Sequence, residues 1–136
     1  MSTPASLDTV AVIGNGIIGH GVSQVYAVAG VDVVVIGRST ESLARAIDNI
    51  RASLADFRRH GLITEADADA AVDRIRTSTQ LADAAVAQLV IEAVTHDMPL
   101  KVELFGELDR ICPPPTVLAT SKRRAGERRR GAREAP

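Results

Sequence analysis

One glycine-rich turn constrains the fold of this chain more than any other feature. Residues 10–21 read "VAVIGNGIIGHG", which places Gly14, Gly16 and Gly19 in G-x-G-x-x-G spacing. A short apolar strand over residues 9–13 precedes the turn, and apolar residues at helical spacing follow it over residues 16–29. A strand, a glycine turn and a helix in this order predict the start of a parallel α/β sheet.

The three glycines have separate physical tasks in such a turn. Gly14 permits the tight turn, Gly16 lets the backbone approach a pyrophosphate, and Gly19 lets the helix lie close to the sheet. The N–H groups of Ile17 and Ile18 then face an anion from a helix N-terminus. We therefore predict a dinucleotide site here, the alternative being a tight turn that holds no ligand.

Strands and helices alternate along the rest of the chain. We predict further strands over residues 31–36, 74–78, 88–94 and 116–120. We predict helices over residues 40–60 and 79–86, and two more that begin after the capping residues Thr64 and Asp97. Asp67, three residues after Thr64, completes a pattern like a capping box. The apolar stripe predicted to face the sheet from the longest helix is Leu43, Ile47, Ile50, Leu54 and Phe57. This alternation predicts an α/β fold, a Rossmann-like doubly wound parallel sheet.

The end of the second strand carries the residues that distinguish NAD from NADP. An acid there usually bonds the ribose 2′-hydroxyl of NAD, but this chain has Gly37, followed by Arg38 and two hydroxyl residues. An arginine and hydroxyl groups can bind a 2′-phosphate instead. We predict NADP preference or loss of NAD discrimination, the alternative being that Arg38 is solvated or stacks on adenine.

Charge and composition divide the chain into two parts. Residues 1–121 hold nine Lys and Arg against fifteen Asp and Glu, whereas residues 122–136 hold seven against two. This predicts a dinucleotide-binding domain over residues 1–121 and a disordered basic tail over residues 122–136. The tail has two interpretations, a shifted reading frame in a truncated chain or a basic arm for nucleic acid or acidic partners. It has no interleaved aromatic residue, which favours the first.

Other features limit the compartment and the chemistry. The single Cys112 excludes an intrachain disulfide and predicts no metal cluster. We find no segment apolar and long enough to span a membrane and no signal peptide. These features predict a cytoplasmic protein.

Two long stretches resemble the N-terminal half of the 3-hydroxyacyl-CoA dehydrogenase family. They are residues 49–81 and residues 89–120, and the most specific part is "IEAV…D…LKVELFGELD" ahead of "VLAT". The resemblance covers about residues 8–121. It implies an NAD-dependent oxidation of 3-hydroxyacyl-CoA to 3-ketoacyl-CoA, as in fatty-acid β-oxidation. It also implies an acyl-CoA partner and, in full-length members, a dimer formed by a helical C-terminal domain.

The glycine pattern and the resemblance together imply a set of ligand contacts. Those to the cofactor are Gly14, Asn15, Gly16, Ile17, Ile18, Gly19, Gly37, Arg38, Ala93, Val94, His96 and Lys101. Those to CoA are Ser53 and His60 on the longest helix. His96 replaces a glutamate that the family usually has, and His60 replaces a lysine.

Several of these residues have an ordinary structural alternative. Lys101 could be a solvated surface lysine, and Ser53 could be an exposed helix serine. Residues 58–60 could be a basic helix end favoured by the helix dipole. Glu92, in an apolar strand, either lines the cofactor cleft, which we favour, or meets a hidden partner.

The family's catalytic residues have no counterpart in the sequence. Its Asn-Thr-Ser-Ser-like turn begins here at Ser121 and continues as Lys-Arg-Arg, and no His-Phe-Asn-Pro-like stretch follows. His20, His60 and His96 lie in other contexts. We therefore predict no catalytic residue in this chain and a sheet incomplete on its C-terminal side.

Overall fold

The structure, a computed structural model, describes residues 7–14, 16–93 and 98–120. The strands are β1 (Thr9–Ile13), β2 (Asp32–Ile36), β3 (Ile75–Ser78), β4 (Leu89–Glu92) and β5 (Val117–Thr120). The helices are α1 (Ile17–Val28), α2 (Thr40–Arg59), α3 (Glu65–Asp73) and α4 (Met98–Ile111), with a 3₁₀ helix at Leu81–Val86. Each element predicted from the sequence forms close to its expected position.

The five strands form one parallel sheet in the order β3-β2-β1-β4-β5. Ile13, the last residue of β1, is in register with Ile36 of β2 and with Glu92 of β4. The carboxyl ends of the three central strands therefore lie level at one edge. The strand order reverses between β1 and β4, which is where open α/β sheets bind their ligands. The predicted doubly wound fold is confirmed.

Helices cover both faces of the sheet because its central strands, β1, β2 and β4, are apolar at nearly every position. Val10 and Val33 lie on one face, in a core that includes buried side chains of α2 and α3. Ala11 and Val34, one residue further along, lie on the other face with Leu108 of α4. Successive strand residues point to opposite faces, so this division follows directly from the sequence.

The apolar stripe of α2 differs from the prediction at its C-terminal end. Leu43, Ile50 and Leu54 are buried as expected, but Phe57 is 39% exposed. A helix of twenty residues is about 30 Å long, whereas a strand of five residues spans about 17 Å. The last turn of α2 therefore extends beyond the sheet. Ala46 is buried in the stripe instead, and Ile47 is half-buried.

Side-chain caps begin the second and third helices. Thr64 Oγ1 accepts a hydrogen bond from the N–H of Asp67 at 3.0 Å, which confirms the predicted cap of α3. Ser39 Oγ accepts one from the N–H of Ser42 at 3.1 Å, which the sequence analysis did not predict. The Ser39 hydroxyl also donates a hydrogen bond to Ser42 Oγ. The cap therefore uses a hydroxyl group that the sequence made a candidate for binding the cofactor phosphate.

The buried Cys112 gives a first testable prediction. Burial, with the charge of Asp109, raises the pKa of the Cys112 thiol above its ordinary value of 9.0. We expect a thiol reagent at pH 8 to label the folded chain at least about tenfold more slowly than the urea-unfolded chain, because the thiolate is the reactive form. Since the folded pKa is the higher one, this group's contribution to stability should be complete below pH 9 and decline as the pH rises further. Equal labelling rates would contradict this prediction.

Candidate functional site

The glycine turn lies at the carboxyl edge of the sheet, directly after β1. Gly14 has a φ of +109°, a conformation that favours glycine, and its N–H donates to the Ile36 carbonyl oxygen at 2.8 Å. This bond ties the turn to the end of β2. Gly19 lies in the first turns of α1, where an added Cβ would come within 2.1 Å of the Gly14 carbonyl oxygen. The helix therefore packs on the turn as closely as the sequence predicts.

Gly16 differs from the other two glycines because nothing in the described protein requires it. It is exposed, its φ of −75° suits any residue, and an added Cβ would meet no atom within 4 Å. The space beside Gly16 is thus open to a ligand that approaches the backbone. Within the described residues, no side chain caps the N-terminus of α1 and no acid lies in its first turn. These observations fit the pyrophosphate of a dinucleotide, which would accept hydrogen bonds from the N–H groups there.

An open cleft of about 490 Å³ adjoins Gly16. Its other lining residues, all on α2, are Ser42, Arg45, Ala46, Asp48 and Asn49. Arg45 was not predicted from the sequence, and its guanidinium shares this cleft with Gly16 and with the carboxylate of Asp48. The signal was available, because Ser42, Arg45 and Asn49 follow the helical period next to the buried stripe of α2.

The residues at the end of β2 lie where the sequence predicts. Gly37 is half-buried, and its N–H donates to the Ser78 carbonyl oxygen at 3.1 Å. Arg38 is exposed. The turn is therefore built without a carboxylate at the position that usually meets the ribose, and a guanidinium follows it.

A buried cluster of polar side chains joins the carboxyl ends of β4 and β5 to α4. Glu92 is fully buried, and its Oε1 lies 3.3 Å from Nζ of Lys101, which is 6% exposed. The alternative of a solvated surface lysine is therefore wrong for Lys101. The sequence allowed two alternatives for Glu92, a hidden partner or a place in the lining of the cofactor cleft. We had favoured the cleft, but the structure shows the hidden partner. Nothing in the local sequence signals this pair, because its members are nine positions apart along the chain.

Three further predicted residues lie near the glycine turn, and three lie outside the described chain. The N–H of Ala93 donates to the Ile13 carbonyl oxygen at 2.8 Å, which places Ala93 beside Gly14. Ile17 begins α1, and Ile18 follows it. The residues outside the described ranges are Asn15, Val94 and His96. Residues 122–136, predicted to be a separate tail, also lie outside them.

The two residues predicted for CoA lie towards the other end of α2. Ser53 is half-buried, and His60 is exposed with its Nδ1 2.8 Å from the Asp56 carbonyl oxygen. Arg59 forms an ion pair with Asp56, so the basic end is partly neutralised. A second cleft, of about 550 Å³, lies between α2 and α3 and includes Arg58.

Two kinds of feature are not found in the part of the chain that the structure describes. None of its helices is long and apolar enough to cross a membrane. None of its His, Cys, Asp and Glu side chains form a group of three that could hold a metal ion.

The fold and the glycine turn together define a dinucleotide-binding domain of the doubly wound type. Comparison with known sequences gives the family: residues 9–124 match the family described as "3-hydroxyacyl-CoA dehydrogenase, NAD binding domain". The chain belongs to the 3-hydroxyacyl-CoA dehydrogenase family, and NAD(H) is the cofactor to which this membership points. The resemblance stated from the sequence is confirmed.

Individual relatives agree with this assignment. The chain is 38% identical over 116 residues to 3-hydroxyadipyl-CoA dehydrogenase of Escherichia coli and 36% identical over 112 residues to a probable 3-hydroxybutyryl-CoA dehydrogenase of Bacillus subtilis. These matches cover 85% and 82% of this chain, but 24% and 39% of the relatives. A crystal structure of 3-hydroxybutyryl-CoA dehydrogenase from E. coli superposes with a TM-score of 0.84 at 38% identity, over 86% of this chain and 25% of that one. The chain thus spans the NAD-binding part of longer dehydrogenases.

Proposed function

We propose that this chain binds NAD(H) for the oxidation of a 3-hydroxyacyl-CoA to the corresponding 3-ketoacyl-CoA. The observation that carries the proposal is the open space at Gly16, at the start of a helix that no side chain of the described residues caps, in a chain of this family. When bound, NAD⁺ accepts a hydride from the carbon that bears the hydroxyl group. The chain's own task is to hold the dinucleotide at the carboxyl edge of the sheet.

The described residues suit successive parts of the dinucleotide. The glycine turn would bind the pyrophosphate through backbone N–H groups, with Arg45 contributing positive charge. Gly37 and Arg38 would meet the adenosine ribose. Ala93 and Lys101, at the β4 side of the switch point, would meet the other nucleotide half. We propose residues 1–121 as the domain that performs this task.

The acyl-CoA would meet the chain on α2. Ser53 lies on α2 and His60 caps the C-terminus of α2 seven residues later, close to two helical turns, so the two residues lie on similar sides of the helix axis. Relatives of this chain are named as dehydrogenases of CoA esters, which supports an acyl-CoA substrate. We do not assign the role of catalytic base to any described residue. A dimer and a cytoplasmic location stay predictions, which sedimentation and cell fractionation would test.

A fluorescence titration with NADH tests the proposed function. We expect saturable enhancement of nicotinamide fluorescence, and we expect NAD⁺ and ADP to compete with NADH. Acetoacetyl-CoA, added to the NADH complex, should alter the signal if the CoA contacts on α2 form. An absence of NADH binding by a folded chain would contradict the proposal.

Arg38 gives a prediction about the cofactor's 2′-phosphate. Replacing Arg38 with glutamine should weaken NADPH binding about tenfold and leave NADH binding within about twofold, because a charge-assisted hydrogen bond contributes roughly 1.5–3 kcal/mol. Parallel titrations with the two cofactors measure the ratio. Arg110→Gln changes the net charge equally on α4 and should leave the ratio unchanged. If Arg38→Gln also leaves the ratio of NADPH to NADH affinity unchanged, Arg38 does not bind the 2′-phosphate.

A further inference from the structure

Three polar side chains form a triangle at the carboxyl ends of β4 and β5. Glu92 ends β4, Thr120 ends β5 in register beside it, and Lys101 reaches them from the first turns of α4. Thr120 Oγ1 lies 2.7 Å from Glu92 Oε1, and Lys101 Nζ lies 3.2 Å from Thr120 Oγ1 and 3.3 Å from Glu92 Oε1. We call these three residues the β4–β5 triangle.

The chemistry of the three groups fixes the direction of each hydrogen bond. An ammonium group only donates and a carboxylate only accepts, so the Thr120 hydroxyl accepts from Lys101 and donates to Glu92. Threonine thus links the two charges through one hydroxyl. Glu92 and Lys101 are both more than nine-tenths buried, so the ion pair between them offsets part of the cost of burying each charge.

The triangle lies next to the glycine turn, because Glu92 ends β4 and β4 pairs directly with β1. Glu92 is in register with Ile13, the residue before Gly14, and the next residue, Ala93, bonds to the Ile13 carbonyl oxygen. The glycine turn belongs to the first mononucleotide-binding half of the fold, and β4, α4 and β5 belong to the second. The triangle therefore lies on the nicotinamide side of the switch point.

We propose that Glu92 and Thr120 are positioning residues that hold the Lys101 ammonium group towards the nicotinamide nucleoside. This inference rests on the proposed function. Lys101 has three N–H donors, and within the described residues the triangle uses two of them. Since Glu92 balances the charge of Lys101, the lysine acts as an oriented hydrogen-bond donor to a ribose hydroxyl or amide. It does not act as an uncompensated cation that attracts phosphate.

The first test compares a whole dinucleotide with half of one. ADP reaches only the glycine-turn side, whereas NADH reaches both sides. Thr120→Val, which keeps the volume and removes the hydroxyl, should weaken NADH binding about tenfold and ADP binding less than twofold. Glu92→Gln should likewise weaken NADH binding much more than ADP binding. Thr120→Ser keeps a hydroxyl group and should bind NADH within about threefold of the natural chain.

A matched variant separates positioning from a general loss of stability. Arg74 Nη1 donates to the Ala27 carbonyl oxygen at 2.8 Å, at the opposite edge of the sheet. Arg74→Met should lower the stability without changing the ratio of NADH to ADP affinity. If Thr120→Val and Glu92→Gln leave this ratio unchanged as well, the positioning role is wrong.

A second test needs no cofactor. The sequence contains two lysines, Lys101 and Lys122, which peptide mass spectrometry distinguishes. Acetylation of Lys101, timed against a lysine peptide in the same tube, should be at least about fivefold faster in Thr120→Val and Glu92→Gln than in the natural chain or Thr120→Ser. Unchanged rates would show that the triangle does not hold Lys101. If acetylation is faster in the variants but the folded chain binds neither NADH nor ADP, the proposed function is wrong. The role of Lys101 towards the cofactor is then wrong too, although the triangle does hold Lys101.

Discussion

Replacing Gly16 with alanine is expected to weaken NADH binding about 100-fold while the chain still folds. The new Cβ meets no protein atom within 4 Å and the backbone conformation suits alanine, so the fold should lose less than about 1 kcal/mol. The methyl group would instead occupy the space through which a pyrophosphate approaches the backbone. Losing one or two charge-assisted hydrogen bonds there costs about 3 kcal/mol, which corresponds to about 100-fold in affinity. Calorimetric titration and urea unfolding measure the two effects separately.

Two neighbouring glycines provide controls for Gly16→Ala. Gly21 lies inside α1 and an added Cβ would meet nothing within 4 Å, so Gly21→Ala should raise the stability by about 0.5–1 kcal/mol and leave NADH binding unchanged. Gly19→Ala places its Cβ against the Gly14 carbonyl oxygen and should impair both folding and binding. If Gly16→Ala binds NADH as the natural chain does, the cofactor does not lie at the glycine turn.

Replacing Lys101 with methionine is expected to lower the free energy of unfolding by about 3–5 kcal/mol. The substitution leaves the Glu92 carboxylate buried without the ammonium group that compensates it, and breaking a buried pair in this way typically costs that amount. Urea denaturation at neutral pH measures the effect. The double variant Glu92→Gln with Lys101→Met should recover at least half of the loss, because it removes both charges together.

An exposed ion pair provides the comparison for Lys101→Met. Arg110 and Glu107 on α4 lie 3.7 Å apart and are largely exposed. Arg110→Met should therefore cost less than about 1 kcal/mol. A similarly small cost for Lys101→Met would mean that Glu92 and Lys101 do not depend on each other in solution.

The sequence was sufficient wherever the determining interactions are local. The glycine spacing defines the turn because each glycine acts on its immediate neighbours, and apolar runs define the strands because a strand buried on both faces must be apolar throughout. Thr64 was identifiable as a cap because its partner lies three residues away. Gly37 and Arg38 could be placed by counting from the turn to the end of β2.

Long-range contacts account for what the sequence did not predict. The burial of Lys101 depends on Glu92 and Thr120, which reach it only when β4 and β5 pair in register. Arg45 shares a cleft with Gly16 only because the fold brings α2 next to the glycine turn. Phe57 was placed in the core because its spacing is helical, but the length of α2 relative to the sheet decides its exposure. Spacing along one element cannot reveal where the neighbouring element ends.

An amide NMR titration of the ¹⁵N-labelled chain with NADH would show whether the cofactor binds and at which residues. We expect saturable shifts centred on the amides of Gly14, Gly16 and Gly19, extending to Ala93, with α3 unaffected. These amides lie at the carboxyl edge of the sheet, and α3 packs against one of its faces. A well-dispersed spectrum that does not change with NADH, or shifts centred on α3, would contradict the claim that this chain is an NAD-binding domain.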